Sequence, residues 1–561
     1  MNLEKIYIRD AVYDEIPVYR SIEEPIINSW IIQRLRYIKQ LQLTYLVYPS
    51  ATHTRFEHSL GVMHTASEFI NYIFSNNSIE DVMNKLGIKT NEKTFEILLR
   101  ITVRLAGLLH DIGHGPFGHL FDDIIIPIIA DGNERIVLKR KCFSHEVIGF
   151  LIYWKKIREN LKKMLEKTEE LSSLSDLLIE WLDQILIPIC LEDGKLVYHN
   201  LFKVGEEGFG YLLRMLVRDF LYTADILDYL VRDSIYTGAV ELGLINRVRL
   251  MRSVKLVHKD EIIKMLESRE VAGEEALLDL NNKLLDRIPS PYLIFIRDKV
   301  RPDLVRYLHA RRLMYENVYL HPVVEAFQWS VQEVFLNDMV WYHIVGIDKK
   351  SFIKLIIDSL IDPGKSSVDE LISIYLRLVD DTLLKAKEFV ETHSLCRTDV
   401  GKHIDSIFNN RKPRFKMLVR EIVNGIPVYT DKPLSDMYIS IVERLRKNII
   451  EKSGLSYEDD VKLVIDKIDI YPGSAWNIQG PYIYLLLDKV YGHWLESISE
   501  FSNKNMLTNI GEIRLFVSRD TGNEVKKRLI EAFKNEILKK EDVREELKHI
   551  IRLTTKSYVT M

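Results

Sequence analysis

The chain has 561 residues, 47% hydrophobic and 28% charged, with 77 Lys and Arg against 81 Asp and Glu for a net charge of −4. That length supports two or more lobes with their own cores, and the near-balance of charge excludes a default case for nucleic-acid or membrane-surface binding, leaving only a local basic groove open. Glycine (25) and proline (16) are sparse, which disfavours long disordered linkers and favours helices.

The N-terminus, MNLEKIYIRD, has no apolar signal core, so no secretory leader is expected. The most apolar runs, such as IIIPIIA at 124–130, fall far short of a membrane span. The cysteines, Cys142, Cys190 and Cys396, are odd in number, far apart and without a Cys-x-x-Cys pair. That pattern reads as reduced thiols in a cytosol, and a cytoplasmic location is expected.

Residues 5–20 alternate β-branched and aromatic with polar residues, which predicts a short strand pair. From Glu24 to Leu43 the period becomes helical, with Ile27, Ile31, Leu35, Ile38 and Leu41 at three- and four-residue steps. Arg34, Arg36 and Lys39 lie among them, and their simplest reading is a solvated basic edge. Pro49-Ser50 marks a loop, after which Glu57, His58 and His64 open a helix with Leu60, Met63 and Ile70 on its apolar side. Residues 93–112 predict a long buried helix delivering His110-Asp111, stopped by Gly113, Gly115 and Pro116. A helix this apolar should not end in His-Asp-x-x-His without a reason, because burying those groups unpaired costs several kcal/mol. A metal ion or a dense hydrogen-bond network removes that cost.

Residues 151–190 read as surface helices. Residues 209–235 predict one helix on which Asp225, Tyr229 and Asp233 share a stripe. With Asp228 and Arg232 nearby, that stripe is either a functional face or an ion-pair surface. A helix over 303–320 aligns Arg311, Tyr315 and Tyr319, a cation with two phenols that could hold a sugar and a phosphate; core tyrosines with surface arginines are the alternative. Residues 330–400 look helical throughout, with a turn at Asp362-Pro363-Gly364 and a Ser-capped helix after it. Beyond 411 the texture turns β-rich in REIVNGIPVY, KLVIDKIDIYPG and EIRLFVSRD, with helices at 433–453 and 520–548. The fold expected is mainly α, a helical body over 1–410 with a smaller α+β lobe over 411–561, and without repeats or low-complexity tracts.

His58, then His110-Asp111, then a distant Asp225 resembles the H…HD…D signature of the HD-domain metal phosphohydrolases. The flanks QRLRYIKQL (33–41), HTRFEHSLG (53–61), GLLHDIGHGPFGHLFD (107–122) and DYLVRDS (228–234) are similar to one branch of that family, the SAM- and HD-domain dNTP triphosphohydrolases of vertebrates with their bacterial and archaeal relatives. The similarity is strong over 8–240, fainter over 305–325 and thin beyond, and no SAM domain precedes the HD core in this sequence.

The resemblance implies an HD-domain helical core in which His58, His110, Asp111 and Asp225 hold a divalent metal ion (Zn, Fe, Mn, Mg, Ni or Co). It sets His114, His119 and His145 around the α-phosphate, with His119, oriented by Asp122, protonating the leaving 5′-oxygen or managing the attacking water. Arg55 and Arg311 would grip phosphates. Tyr229 would exclude a bulky 2′ substituent, Asp233 would accept from the 3′-hydroxyl, and Gln40-Leu41 would lie near the base or sugar edge. Tyr315 joins the substrate-binding set. Gln33 and Arg36 match contacts to an allosteric guanine nucleotide. Ile226 stands where the vertebrate enzymes carry a lysine, and Asn28 where their effector site carries an acidic residue. The implied reaction is hydrolysis of a dNTP to deoxynucleoside and triphosphate by a homo-oligomer, dimer or tetramer. The alternatives weighed are an HD-type nucleotidase or phosphodiesterase acting on other nucleotides or short oligonucleotides, and a non-enzymatic nucleotide sensor or nucleic-acid-binding scaffold.

Overall fold

In the structure, a computed structural model, the described residues are 4–192, 195–267, 271–272, 290–426, 435–455, 460–468, 484–489, 492–496, 509–543, 545 and 547. The chain opens on an antiparallel hairpin, Lys5–Asp10 against Asp14–Tyr19, in the register Lys5↔Tyr19 to Asp10↔Asp14, as the alternation of residues 5–20 predicts. The helix expected over 24–43 is instead three short pieces, Glu23–Ile27, Trp30–Gln33 and a 3₁₀ turn at Arg34–Tyr37. Ser29 breaks it, with an extended backbone and its hydroxyl donating to the Ile26 carbonyl. Arg34 is no solvated edge either. It is fully buried and donates to the carbonyls of Ile112, at 2.9 Å, and His114.

Helix Arg55–Asn76 starts on a capping box between Thr54 and Glu57, and helix Glu92–Leu109 on Asn91, whose side chain accepts from the Thr94 amide. The two pack along one another in the largest core cluster, through residues such as Leu60, Met63, Ile70, Leu98, Val103 and Leu105. The single helix expected over 209–235 is two, Phe209–Val217 and Ala224–Thr237. The break has a cause: buried Arg214 pairs with Asp219 and donates to the Ile185 carbonyl at 2.7 Å, drawing the chain out of its helical path. Thr223 then caps the second helix, accepting from the Ile226 amide. Residues 151–190 are not surface helices throughout. In Ser175–Leu186 the side chains of Leu178, Trp181, Leu182 and Ile185 are buried, because the one carboxylate on that face, Asp183, is answered by Arg158 and by the Tyr153 hydroxyl at 2.7 Å.

Helices Arg301–Met314, Pro322–Leu336, Asp338–Val345, Lys349–Ile361, Ser367–Tyr375 and Thr382–Thr392 follow. Ser366 precedes Ser367–Tyr375 without making the expected side-chain cap. Strands Phe415–Ile426, Asn509–Ser518 and Val461–Ile468 form an antiparallel sheet with Asn509–Ser518 in the centre. Helices Ser435–Ser453 and Asn523–Phe533 pack against it. Buried Arg514 ties that sheet to the helical body, pairing with Glu325 at 2.7 Å and donating to the Leu320 carbonyl. A second sheet draws on both stretches of chain, in the order Val254–His258, Tyr292–Arg297, Tyr484–Lys489, Gly492–Glu496, Val271–Ala272. The 410/411 division is crossed there. The molecule is mainly α with a small α+β part.

The cysteines correct the sequence reading. Cys142 and Cys190, 48 positions apart, form a disulfide with their Cα atoms 5.7 Å from one another, and Cys396 is an exposed free thiol. Loop ends that fold together carry no spacing signal, which is why an odd, scattered count reads as reduced. Among the described residues no helix is long and apolar enough to cross a membrane.

Candidate active site

Helix ends converge on one point. His58 lies in the first turn of Arg55–Asn76, His110 is the C-cap of Glu92–Leu109 with Asp111 next to it, and Asp225 lies in the first turn of Ala224–Thr237. His58, His110 and Asp225 each offer a ligand atom within 4.8 Å of the others. His58 Nε2 is 3.1 Å from Asp225 Oδ1 and 3.8 Å from Asp111 Oδ2, and His110 Nε2 is 3.3 Å from Asp111 Oδ1. Against the desolvation that raises it, the neighbouring His110 and His58 imidazoles hold the Asp225 carboxyl far below the usual range. His110, Arg55 and His58 do the same for Asp111, again against desolvation.

The donor set fits a divalent cation. His110 donates Nδ1–H to the Gly107 carbonyl at 2.8 Å, which leaves Nε2 as the acceptor nitrogen; Nε2 is buried and has no hydrogen-bond partner. An orphaned imidazole nitrogen beside two carboxylates and a second imidazole suits a borderline divalent metal. His58, His110, Asp111 and Asp225 are the residues that could hold one.

Beside this quartet stand His114, His119 and His145, whose nitrogens also cluster within 4.8 Å. His145, half-buried at the start of helix His145–Ile152, stacks on His114 with ring centroids 3.7 Å apart. His119 meets both rings edge-on. Removal from water, then neighbouring positive charge, pushes His114 well below its ordinary value and His145 down to about 3. Both are therefore neutral imidazoles at neutral pH. The orienting carboxylates differ from expectation. Asp122 holds His114, with Oδ2 2.8 Å from Nδ1, while His119 turns to Asp123, with Oδ2 2.9 Å from Nδ1. The cause is local: Leu120–Ile125 is a π-helical turn, which rotates Asp122 inward to full burial, where it also accepts from the Tyr375 hydroxyl and the Gly115 amide.

The substrate-side residues separate into two groups. Arg311 donates to the hydroxyls of Tyr229 and, at 3.3 Å, Tyr315, over whose ring it also sits. Asp233 is buried, one oxygen 2.7 Å from His53 Nε2 and the other accepting from Tyr319 at 2.9 Å. Tyr229 and Tyr319 touch edge to face, which joins these groups into one wall between the helix that carries Asp225 and the 301–319 segment. The stripe Asp225, Tyr229, Asp233 is thus no solvated ion-pair surface. Asp228 and Arg232, the pair that suggested one, are themselves fully buried. The Gln40 backbone N–H donates to the carbonyl of His53, whose ring bonds Asp233, at 3.0 Å; the Gln40 Oε1 is buried without a partner, and Leu41 is half-buried beside it. Arg55 turns to Asp111 rather than outward, donating to Oδ2 at 2.5 Å. Gln33 and Arg36 stand apart from the quartet, bonded to each other at 2.9 Å, with Arg36 over the Phe56 ring.

Sequence reasoning missed Tyr13, His53, Asp123 and Tyr375, and gave Asp228 and Tyr319 lesser roles. Asp123 acts locally, one turn from His119, and the other five through hydrogen bonds between distant segments, a relation no local period encodes. Asp123 and Asp228, the latter one turn from Asp225, carried a usable signal.

A family model described as HD domain matches residues 55–185. The chain is 34% identical over 202 residues to an HD domain-containing protein of Acanthamoeba polyphaga mimivirus, spanning 35% of this chain and 39% of that protein. It is 25% identical over 507 residues to the deoxynucleoside triphosphate triphosphohydrolase SAMHD1 of Gallus gallus, spanning 87% of this chain and 70% of that protein. The fold is shared with a phosphohydrolase from Bacteroides thetaiotaomicron at a TM-score of 0.53 and 21% identity, covering 92% of this chain and 100% of that one. Residues 55–185 thus match the HD domain, and the sequence similarity supports an HD-domain phosphohydrolase, while the shared helical architecture shows the fold alone.

Proposed function

We infer that this phosphohydrolase is metal-dependent and cleaves deoxynucleoside triphosphates to deoxynucleoside and triphosphate. The observation that carries the reading is the wall in which Tyr229 and Asp233, on the helix that carries Asp225, are hydrogen-bonded to Arg311 and Tyr319 of the 301–319 segment, with Tyr315 bonded to Arg311. A general phosphatase has no use for a phenol and carboxylate array pre-formed beside its phosphate centre; a nucleotide sugar does. The similarity to a dNTP triphosphohydrolase over most of the chain supports the same substrate class.

The roles follow from the contacts. His58, His110, Asp111 and Asp225 hold the cation, which when bound polarises a phosphate oxygen and lowers the pKa of water. His119 is the general acid for the leaving 5′-oxygen: its side chain is 39% exposed where that of His114 is 1%, and Asp123 holds its Nδ1, leaving Nε2 to face substrate. Neutral His114 and His145 line the α-phosphate, His114 fixed by Asp122. Arg311 answers phosphate charge. The Tyr229 ring leaves no room for a 2′-hydroxyl, and Asp233, with a lone pair left on each oxygen, accepts from the 3′-hydroxyl. Gln40 Oε1, buried and unpartnered, faces the base or sugar edge. Gln33 and Arg36 take an effector nucleotide at a homo-oligomeric contact.

The test is the metal-reconstituted protein with all four dNTPs and all four NTPs, singly and in pairs, with products resolved by chromatography. Triphosphate plus deoxynucleoside is expected. Orthophosphate or pyrophosphate as the only phosphate product with every dNTP refutes the reading.

A further inference from the structure

The support for the His-Asp centre runs backwards, away from the cleft, to the N-terminal hairpin. His58 points Nε2 at Asp111 and Asp225, and its other nitrogen, Nδ1, is 2.8 Å from Asp228 Oδ2. Asp228 is wholly buried and held on every side. Its Oδ1 accepts from the Tyr13 hydroxyl at 2.8 Å and from Arg232 Nη2 at 3.0 Å, and its Oδ2 accepts from Arg232 Nε at 2.9 Å. Arg232 is anchored in turn by Asp10, at 2.9 and 3.3 Å, and the Tyr13 hydroxyl also meets Thr65 Oγ1 at 2.7 Å. Asp10 and Tyr13 belong to the hairpin turn, more than two hundred positions from Asp228 in sequence. Helix Arg55–Asn76 makes room for the arrangement at Gly61, where a Cβ would lie 2.0 Å from Asp228 Oδ1 and 2.4 Å from Arg232 Nη2.

A carboxylate immobilised in this way does one thing for an imidazole. It accepts a hydrogen bond from Nδ1–H, which fixes the tautomer, leaves the Nε2 lone pair facing the other three ligands, and makes that nitrogen more basic. In a water-free setting such bonds are stronger than at a surface. Among the described residues neither Tyr13 nor Asp10 hydrogen-bonds to the ligand quartet, and the bonded path from them to the His58 ring runs through Asp228 and Arg232.

We propose that Asp228 is the positioning residue for His58 and that the hairpin turn, through Tyr13 and Asp10, sets the metal affinity of a centre it never touches. The inference rests on the reading of His58, His110, Asp111 and Asp225 as metal ligands, and is independent of which nucleotide is cleaved. The probe is Co²⁺ titrated into full-length, metal-free protein against a chromophoric chelator, with thermal melts of the same metal-free proteins as the measure of fold. Asp228→Asn is expected to weaken Co²⁺ binding by about 10–100-fold and to change the visible Co²⁺ bands. Tyr13→Phe keeps the ring and removes one hydroxyl; it weakens binding by a smaller factor while its metal-free melt stays close to wild type. Wild-type Co²⁺ affinity in either variant overturns the inference, and should Asp228→Asn not fold, Tyr13→Phe decides alone. His58→Ala is the control: if it binds Co²⁺ as tightly as wild type, the metal-centre reading itself fails, not only the role of Asp228.

Discussion

Asp380 is buried between two loops that frame the cleft. One oxygen accepts from the Phe117 amide at 2.7 Å and the other from the Lys39 amide at 2.8 Å. Phe117 sits with φ +58 in the turn between His114 and His119, and Lys39 leads into Gln40-Leu41, so one carboxyl ties the imidazole cluster to the Gln40-Leu41 loop. Asp380→Ala leaves two buried N–H groups unsatisfied, at about 1–3 kcal/mol each, so the variant should lose roughly 2–6 kcal/mol before any relaxation. The pH dependence is sharper. Burial pushes the native carboxyl up to about 6, against ~3.9 for an unfolded aspartate. A raised native pKa means that the folded state binds the proton more tightly. Its contribution is fully present below about pH 4 and is lost as pH rises through about 6, a swing of roughly 3 kcal/mol. The destabilisation caused by Asp380→Ala should therefore be larger at pH 4 than at pH 8 by about that amount. Urea denaturation of both proteins across this range, with amide exchange at Phe117 and Lys39 as the local readout, measures it. A difference that is independent of pH, or larger at pH 8, refutes the reasoning.

Gly113 packs against the start of helix His145–Ile152, and a Cβ there would lie 2.0 Å from the His145 carbonyl oxygen and 2.2 Å from the Gly149 nitrogen. Since both obstacles are backbone, Gly113→Ala should cost at least ~1–3 kcal/mol and displace His145, seen as a lowered Tm with a fall in kcat. Reducing the Cys142–Cys190 bond, which closes a 48-residue separation, should destabilise the oxidised protein by about 4 kcal/mol on chain-entropy grounds; an unchanged melting curve with and without reductant would contradict this. Tyr229→Ala should narrow the ratio of kcat/KM for a dNTP over its NTP, and an unaltered ratio would remove Tyr229 from sugar selection. Adding Mn²⁺ at a hundred times its Kd should raise the stability of the metal-free protein by ~2.7 kcal/mol but leave His110→Ala unmoved, as followed by thermal melts.

Much of the helical body was legible from period and punctuation. The helix opened by Glu57 and His58, the apolar run into His110-Asp111 and the β-rich texture beyond 411 all correspond to observed elements. What escaped was set by contacts rather than by pattern. Arg34 and Arg232 read as surface charges in sequence, yet each is buried because a carbonyl or carboxylate from a remote segment meets it, as Asp10 meets Arg232 at 2.9 Å. The pairing of Asp122 with His114 rather than His119 turns on a single π-helical turn, a distortion of about one residue that composition does not signal. The interruption at Arg218–Thr223 came from an arginine reaching sideways to Asp219, not from a proline or glycine.

The sheet that interleaves Tyr292–Arg297 with Tyr484–Lys489 bears on how the chain is made. Tyr292 to Ile296 are all buried in the finished molecule, and one side of that strand is covered early by Val254–His258. The other side waits for a partner synthesised almost two hundred residues later, which at ribosomal speed is roughly 10–40 s. For that interval a nascent chain carries an apolar, unpaired strand edge of the kind that invites wrong association, and the helical body must hold its shape without the strand that later seals it.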